Sequence, residues 1–492
     1  MDAELGRGQG APEGDGRRGA DGSDRGDNRK NGEKDGETGG KRKRPGRKPA
    51  KTPDGVEALG ELIAFLSRFV KILNPVFDRI QKTRDPKRCI YDGKAFLWNF
   101  ILGFIFRCGS RNSIDNDRDD EYYADAVLKL SGQEWRFESP KTAPCTLSCC
   151  NFLRRGCTAM LERALVDMVC HMIRLKLFDN ARFRGLFVFA IDATKQERIR
   201  CCKWLGNRKN RYVLEVKLIT PFGAAFSVMS EPIKPWHDNN ENEKQDSEYH
   251  GFLRVAPRLK AAFPNLGICI LGDALYACAP LMKVCENYGW EYIFTFKEGR
   301  TLRAYKDAEE QMKAAPGQSG KCMRHDAKGK PVECVNVAWA TGIEITKGSD
   351  GWHVFNVVKI VETDANGAPY SGMFATSFDI RDAKGADAIA TCGRRRWGIE
   401  TSFYVEKHVR IGLGHNFCNN ARVSRNIYLL MQIAYNLWQL FNLGCLKRLG
   451  KGCRLMTEKK WAEIMRSALK TCGIELDLES LPRRYISREY LQ

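Results

Sequence analysis

The sequence is poor in the residues that build zinc sites and disulfide frameworks. It has only 7 histidines, and none of its 19 cysteines is spaced as Cys-x2-Cys. Adjacent pairs such as Cys149-Cys150 and Cys201-Cys202 suit neither a disulfide framework nor a zinc ribbon. We therefore expect reduced thiols and no metal centre made of cysteine and histidine.

The sequence also lacks a long apolar segment. The best candidate, "FLWNFILGFIF" from Phe96 to Phe106, has 11 residues, whereas a membrane-spanning helix needs about 20. The N-terminus has no apolar stretch of the kind that a secretory signal needs. These absences predict a soluble, intracellular protein that is cytoplasmic and has no membrane partner. They also predict a buried helix at residues 96–106.

Acidic charge is in deficit, since 80 Lys+Arg oppose 60 Asp+Glu and the net charge is +20. This balance favours a polyanionic partner, because neutralising phosphates releases their condensed counterions. Residues 1–54 nearly lack large apolar side chains, and we expect a disordered basic tail there. The block from Lys41 to Lys51 either adds phosphate contacts beside a DNA-binding core or is a solvated linker.

Apolar residues recur at three- and four-residue spacing across residues 55–183, which indicates helices. The expected helices carry the apolar positions from Leu59 to Leu73, residues 94–106 and residues 159–177. We predict a helical DNA-binding domain here, in which a segment capped by Thr146 or Ser148 can open a DNA-reading helix. Core packing alone explains the apolar positions equally well.

The pattern changes to strands after residue 184. The runs "GLFVFAID", "RYVLEVKLIT" and "AAFSVMSEPI" are followed by a helix at about 248–263 and by the strands "GICILGD" and "WEYIFTF". This is the order of the RNase H-like fold, in which three antiparallel strands precede a fourth that lies parallel beside the first. We therefore predict an α/β protein whose RNase H-like core begins at residues 184–299.

Alternating β-branched residues after this unit predict a small β insertion at residues 300–372. The core then resumes at 373–445 with a helix that carries a glutamate, and a helical segment occupies 446–492. Trp339 and Trp352 in the insertion either stack on an unpaired base or pack the β domain. His237 and Asp238 either line a cleft or lie in an exposed loop.

Three carboxylates stand out against this pattern. Asp192 and Asp273 each end a strand-like apolar run, and Glu400 lies in the arginine-rich helix "RRRWGIETSFYVEKH". The carboxyl ends of neighbouring parallel strands meet at one edge of an open α/β sheet, where such sheets place their sites. Two Mg²⁺ or Mn²⁺ ions about 4 Å apart can activate a nucleophile and stabilise a leaving oxygen. Magnesium favours carboxylate ligands, so the three are candidate metal ligands and catalytic residues.

Arg396 and Lys407 lie four residues before and seven residues after Glu400, on one face of an ideal helix. Arginine suits bidentate contact with phosphate, and lysine acts as a point charge. Both residues are therefore candidate DNA-binding residues. The alternative is that Glu400 pairs with Arg396 on a solvated helix, and that each aspartate is a turn residue.

The spacing Arg396-x3-Glu400-x6-Lys407 resembles the DDE transposases of bacterial insertion sequences, in the subgroup with a Tyr-x2-Arg-x3-Glu-x6-Lys signature. Gly393 stands at the tyrosine position. The contexts "IDAT" and "GDALY" around Asp192 and Asp273 are also similar to that family, and the resemblance covers about residues 90–445. It implies metal-dependent cleavage at element ends and 3′-OH strand transfer into target DNA. It also implies a homodimer on double-stranded DNA with terminal inverted repeats.

Three other functions stay open. A catalytically inactive or domesticated DNA-binding protein derived from such an enzyme is favoured by the missing tyrosine and opposed by the intact triad. A different RNase H-like nuclease such as a resolvase needs neither the large insertion nor the Arg-Glu-Lys face. A structural chromatin protein that uses only the basic tail leaves residues 184–445 unexplained.

Overall fold

The computed structural model describes residues 54–83, 89–199, 209–233, 247–299, 301–325, 331–346, 352–363, 369–450 and 456–472. Within these residues nine strands form one mixed sheet in the order β3-β2-β1-β4-β5-β9-β8-β7-β6. The strands are β1 (Phe187–Ile199), β2 (Lys209–Ile219), β3 (Ala225–Ile233), β4 (Ile268–Gly272), β5 (Glu291–Thr295), β6 (Ser319–His325), β7 (Pro331–Thr346), β8 (Trp352–Thr363) and β9 (Pro369–Thr376).

Helices precede this sheet, connect its strands and follow it. They are α1 (Gly55–Phe77), α2 (Gly93–Ile105), α3 (Arg111–Asp115), α4 (Glu121–Ser131), α5 (Thr146–Leu153), α6 (Thr158–Arg174), α7 (Glu248–Ala262), α8 (Ala279–Asn287), α9 (Leu302–Ala314), α10 (Ala383–Arg394), α11 (Trp397–Tyr404), α12 (Ala421–Phe441), α13 (Lys447–Leu449) and α14 (Glu458–Thr471). None of the described helices is long and apolar enough to cross a membrane. The cysteines of the described residues are free, as expected.

The first five strands have the predicted arrangement. β1, β2 and β3 form an antiparallel meander, β4 lies parallel beside β1, and β5 lies parallel beside β4. The central strands are buried on both faces, which agrees with their continuous apolar sequences. One face packs against α6 and α7, the other packs against α10 and α11, and α12 lies along the edge of β3.

The strands of the predicted β insertion join the same sheet. β9 pairs antiparallel with β5, and β8, β7 and β6 continue outward from it. Trp339 is buried among apolar residues on the face that α10 covers, whereas Trp352 is 61 % exposed. Packing therefore accounts for Trp339, and base stacking stays a prediction for Trp352 alone.

The N-terminal helices follow from their sequences. Asp54 caps α1 by accepting from the Val56 N–H, and the apolar face of α1 from Leu59 to Leu73 is buried. α2 is buried along nearly its whole length, as expected for residues 96–106. These helices share one core with the sheet, and the predicted domain boundaries remain predictions.

The cap predicted for α5 is wrong. Cys145 is the N-cap, and the Thr146 N–H donates to Asp115 Oδ1 over 2.7 Å while its hydroxyl donates to Oδ2 over 2.6 Å. Asp115, which is distant in sequence, thus accepts the free hydrogen-bond donors of Thr146 in the first turn of α5. A local cap pattern cannot reveal such a contact. The basic tail before residue 54 and the pair His237 and Asp238 lie outside the described residues.

Two amide side chains of α12 cover the free edge of β3. Asn436 accepts from the Ser227 N–H (2.9 Å) and donates to the Ser227 carbonyl (2.8 Å). Gln439 makes the same pair of bonds to Ala225, at 3.2 and 2.8 Å. The helix thereby satisfies the edge groups that would otherwise stay open to another strand.

We predict that Asn436→Ala lowers the free energy of unfolding by about 2 kcal/mol or more, because it leaves a buried N–H and a buried carbonyl unpaired. Urea denaturation measures the change. The control is Asn151→Ala on the exposed face of α5, which should change stability by less than about 0.5 kcal/mol. Equal effects of the two substitutions would contradict this account of the edge.

Candidate active site

The parallel pairing of β1 with β4 brings the two aspartates to equivalent positions. Ala190 pairs with Leu271, and Asp192 and Asp273 each lie two residues further along their strands. Asp273 directly follows β4, but β1 continues beyond Asp192 to Ile199. The expectation that the strand ends at Asp192 is therefore wrong, because pairing with β2 extends it.

Each aspartate also accepts a local bond from a backbone N–H, but only Asp273 is followed by a turn. Asp273 Oδ1 accepts from the Leu275 N–H over 2.8 Å, and Asp192 Oδ1 accepts from the Ala193 N–H over 2.9 Å. Each bond uses one carboxylate oxygen. The site interpretation is thus compatible with the geometry of both aspartates, whereas the turn interpretation stays open for Asp273 alone, because Asp192 lies within β1.

Glu400 lies in α11 and is paired with Arg396, whose Nη1 is 2.6 Å from Glu400 Oε1. Arg396 is nearly buried, and the Glu400 side chain is 35 % exposed. The helix becomes π-helical from Val405 to Arg410, so Lys407 does not follow the ideal α-helical phase that the sequence spacing implies. Its charge nevertheless lies close enough to interact with Asp192.

Electrostatics link these residues. Burial raises the pKa of Asp192 to about 6; the charges of Glu400 and Asp273 also raise it, and that of Arg396 lowers it. Burial lowers the pKa of Lys407, while the charges of Glu406 and Asp192 raise it. The structure therefore brings the five predicted site residues into one electrostatic neighbourhood.

A fourth carboxylate, Glu248, was missed by the sequence analysis. It lies in the first turn of α7, with its Oε2 3.5 Å from the Tyr276 hydroxyl. Burial, together with the charges of Asp192 and Asp273, raises its pKa to about 7. The sequence does contain a signal for Glu248, because a helix that leads into a parallel strand begins near the carboxyl end of that strand.

The donor chemistry of this neighbourhood fits a hard divalent cation, since Asp192, Asp273, Glu400 and Glu248 offer only carboxylate oxygens. Their like charges raise the pKa values of Asp192 and Glu248, as expected for carboxylates that a cation would relieve. As placed, however, no three Asp, Glu, His or Cys side chains in the described residues are grouped to hold a metal ion. Glu400 is paired with Arg396 instead.

Gly393, at the tyrosine position of the signature, is closely packed. A Cβ atom there would lie 2.7 Å from Phe374 Cδ1 and 3.0 Å from Ile293 Cγ2. Phe374 of β9 occupies the space into which a side chain would extend. The departure from the signature is thus built into the packing of α10 on the sheet.

Residues 244–437 match a family model described as a transposase DDE domain. The matched range includes Asp273, Arg396, Glu400 and Lys407, and Asp192 precedes it. No curated protein matches the chain significantly. One similar solved structure is described as a piggyBac transposase synaptic complex with hairpin DNA. It is 10% identical and covers 86% of this chain and 82% of that chain, with a TM-score of 0.34. That likeness is too low to support a conclusion, whereas the family match supports a DDE transposase.

We predict that Gly393→Ala lowers the free energy of unfolding by about 1–3 kcal/mol through overpacking against Phe374, although alanine is the better helix former. Gly393→Tyr, which restores the signature, should destabilise more. Gly60→Ala in α1 is the control, because a Cβ atom there meets nothing within 4 Å. Thermal denaturation of the variants decides: a stabilising Gly393→Ala substitution would refute the packing account.

Three carboxyl groups with raised pKa values predict that the free energy of unfolding depends on pH in the absence of divalent ions. Asp192, Glu248 and Glu215 keep their protons up to pH about 6 to 7 in the folded state, whereas the unfolded chain releases them near pH 4. Since the folded state binds more protons in this window, the free energy of unfolding falls as the pH rises through it. The loss from Asp192 should be about 1–3 kcal/mol.

Chemical denaturation at pH 5 and pH 8 in EDTA measures this dependence. Asp192→Asn should reduce the decrease, and Asp307→Asn on the exposed face of α9 should leave it unchanged. An equal decrease in wild type and Asp192→Asn would show that Asp192 does not titrate in this way.

Proposed function

We propose that the chain is a DNA transposase with an RNase H-like core, which cleaves element ends and transfers 3′-OH strands to target DNA. The observation that carries the proposal is the electrostatic interaction of Asp192 with Asp273, Glu400, Arg396 and Lys407. The strand order around them and the transposase DDE domain match support it. The bacterial insertion-sequence subgroup belongs to the proposal too.

Each residue has a role in this scheme. Asp192, Asp273 and Glu400 would hold two Mg²⁺ or Mn²⁺ ions, and the Arg396–Glu400 ion pair has to open for Glu400 to take part. Bound ions of this kind lower the pKa of water and neutralise charge on the leaving oxygen. Arg396, once released, binds phosphate through two parallel N–H donors, and Lys407 neutralises phosphate as a point charge.

The partner is double-stranded DNA that carries terminal inverted repeats, together with target DNA. The net charge of +20 favours such a polyanion. The N-terminal helices and the basic tail would hold the repeats, and α5 presents exposed Ser148, Asn151 and Arg154 to solvent. A homodimer is proposed because two ends must be joined in one complex.

The second candidate is a DNA-binding protein derived from such an enzyme, without catalysis. Three observations favour it: Gly393 replaces the signature tyrosine, Glu400 is paired with Arg396, and the described residues lack a three-ligand grouping. The same DNA would be bound, so binding measurements do not separate the two candidates. Cleavage does.

We predict that wild type excises a plasmid segment flanked by the DNA that borders its gene, in Mg²⁺ or Mn²⁺ but not in EDTA. Glu400→Gln should lower the cleavage rate by about 10²-fold or more, because it removes a charge that holds the ions. Glu310→Gln, the same substitution at an exposed position of α9, should cleave like wild type.

The variants also separate the two candidates. Binding of the flanking DNA should be similar in all three proteins, as measured by electrophoretic mobility shift. If all three bind the flanks and none cleaves them in either metal, the catalytic proposal is rejected and the binding protein takes its place.

A further inference from the structure

A buried ion pair lies behind the candidate site. Lys217 of β2 and Glu406 are both fully buried, and the Lys217 ammonium donates to Glu406 Oε1. The Ser402 hydroxyl donates to the same oxygen over 2.7 Å, and Gln432 of α12 donates to Oε2 over 2.7 Å. Lys217 also donates to Ser402 over 2.9 Å. Both charges are therefore well satisfied.

The pair is placed to connect two parts of the site. Lys217 pairs across the strands with Ala190, two residues before Asp192, so it projects from the same sheet face as Asp192. Glu406 directly precedes Lys407 and lies six residues after Glu400. The ion pair thus joins β2, which pairs with β1 at Asp192, to the segment that carries Glu400 and Lys407.

The segment that is anchored has an unusual backbone. Glu406 lies in the π-helical stretch from Val405 to Arg410, which continues α11. Such stretches are rare and occur frequently at functional sites. Because the π-helical stretch alters the phase of the helix, an anchor is needed to set the direction in which Lys407 projects.

One face of α12 completes the support. Tyr428 donates to Glu215 Oε1 over 2.7 Å, and Glu215 is the cross-strand partner of Asp192. Gln432, one turn further, holds Glu406, and the ring of Tyr435 lies 5.6 Å from the Lys217 ammonium. α12 therefore contacts both Glu215, the strand partner of Asp192, and Glu406 in the π-helical stretch.

Stability alone explains this arrangement poorly. Removing two charges from water is costly, and well-packed apolar residues often stabilise a core as well as a buried ion pair does. In some proteins a satisfied buried polar or ionic group instead fixes one geometry. We propose that Lys217, Glu406 and Gln432 are positioning residues that hold the segment carrying Glu400 and Lys407 over Asp192. The inference rests on the proposed function.

The test variant is Lys217→Met/Glu406→Gln, which removes both charges together and leaves no unpaired ion. Methionine keeps the contact with the Phe403 ring, which lies 4.8 Å from the lysine ammonium. The matched control is Lys359→Met/Glu309→Gln, which removes a pair of the same residue types, 2.7 Å apart, between β8 and α9. Ser402→Ala removes two hydrogen bonds, one to each member of the ion pair, and keeps the ion pair itself. It replaces the test variant if that variant does not fold.

Two measurements are made on the full chain with a duplex of the flanking DNA. In single-turnover cleavage at saturating DNA, the test variant should lose about 10²-fold in rate while its Kd for DNA stays within about threefold. In hydrogen–deuterium exchange without DNA, amides of residues 402–410 should exchange at least about tenfold faster, with β4 and β5 unchanged. Ser402→Ala should show smaller changes of the same kind, and the control should show neither.

Each outcome of these measurements either supports the positioning role or overturns it. Cleavage within about twofold of wild type, or unchanged exchange at residues 402–410, overturns the positioning role. A parallel loss in the Lys359 and Glu309 control also overturns it, since any lost ion pair would then do the same. If wild type itself does not cleave, the proposed function fails, and the exchange measurement alone decides whether the pair holds this segment.

Discussion

The parallel pairing of β1 with β4 is the contact on which the site depends. It places Asp192 and Asp273 at matching heights on adjacent strands, although 80 residues separate them in the chain. α7, the helix that precedes β4, begins near these aspartates and adds Glu248. Without this register the carboxylates would not share one neighbourhood, and the chemistry proposed for them would have no basis.

The site concentrates negative charge, and the fold offsets it in two ways. Arg396 is held against Glu400 and lowers the pKa of Asp192, opposing the effect of burial. Lys407 is oriented from a π-helical stretch that Lys217 anchors through Glu406. Lys407 is thus positioned through buried polar contacts, which are stronger supports than ion pairs between solvent-exposed side chains.

The outer strands affect the site through packing. β9 joins β5 directly, and its Phe374 fills the space next to Gly393 at the end of α10. The arginine-rich turn that follows α10 is therefore positioned by the extended sheet. Residues that read as an insertion in the sequence thus contribute to the placement of Arg396 and Glu400, because the sheet is continuous through them.

The sequence by itself determined the local elements and the identity of the main charged residues. Apolar periodicity indicated α1, α2 and α6, strand runs indicated β1 to β5, and the spacing of Arg396, Glu400 and Lys407 indicated the charged helix. These features depend on neighbours within a few residues, which is why pattern and spacing reveal them. The aspartates were found because an acidic residue beside a buried strand breaks such a pattern.

Only the tertiary structure decided the rest. Glu248 lies in a first helical turn, where the helix dipole favours any acidic residue, and the placement of α7 brings its charge close to Asp192 and Asp273. The burial of Lys217 and Glu406 as a pair depends on the packing of α11 and α12 against β2. Gly393 shows its constraint only against Phe374. Each of these contacts joins segments far apart in sequence, and packing between such segments leaves no periodic trace in either one.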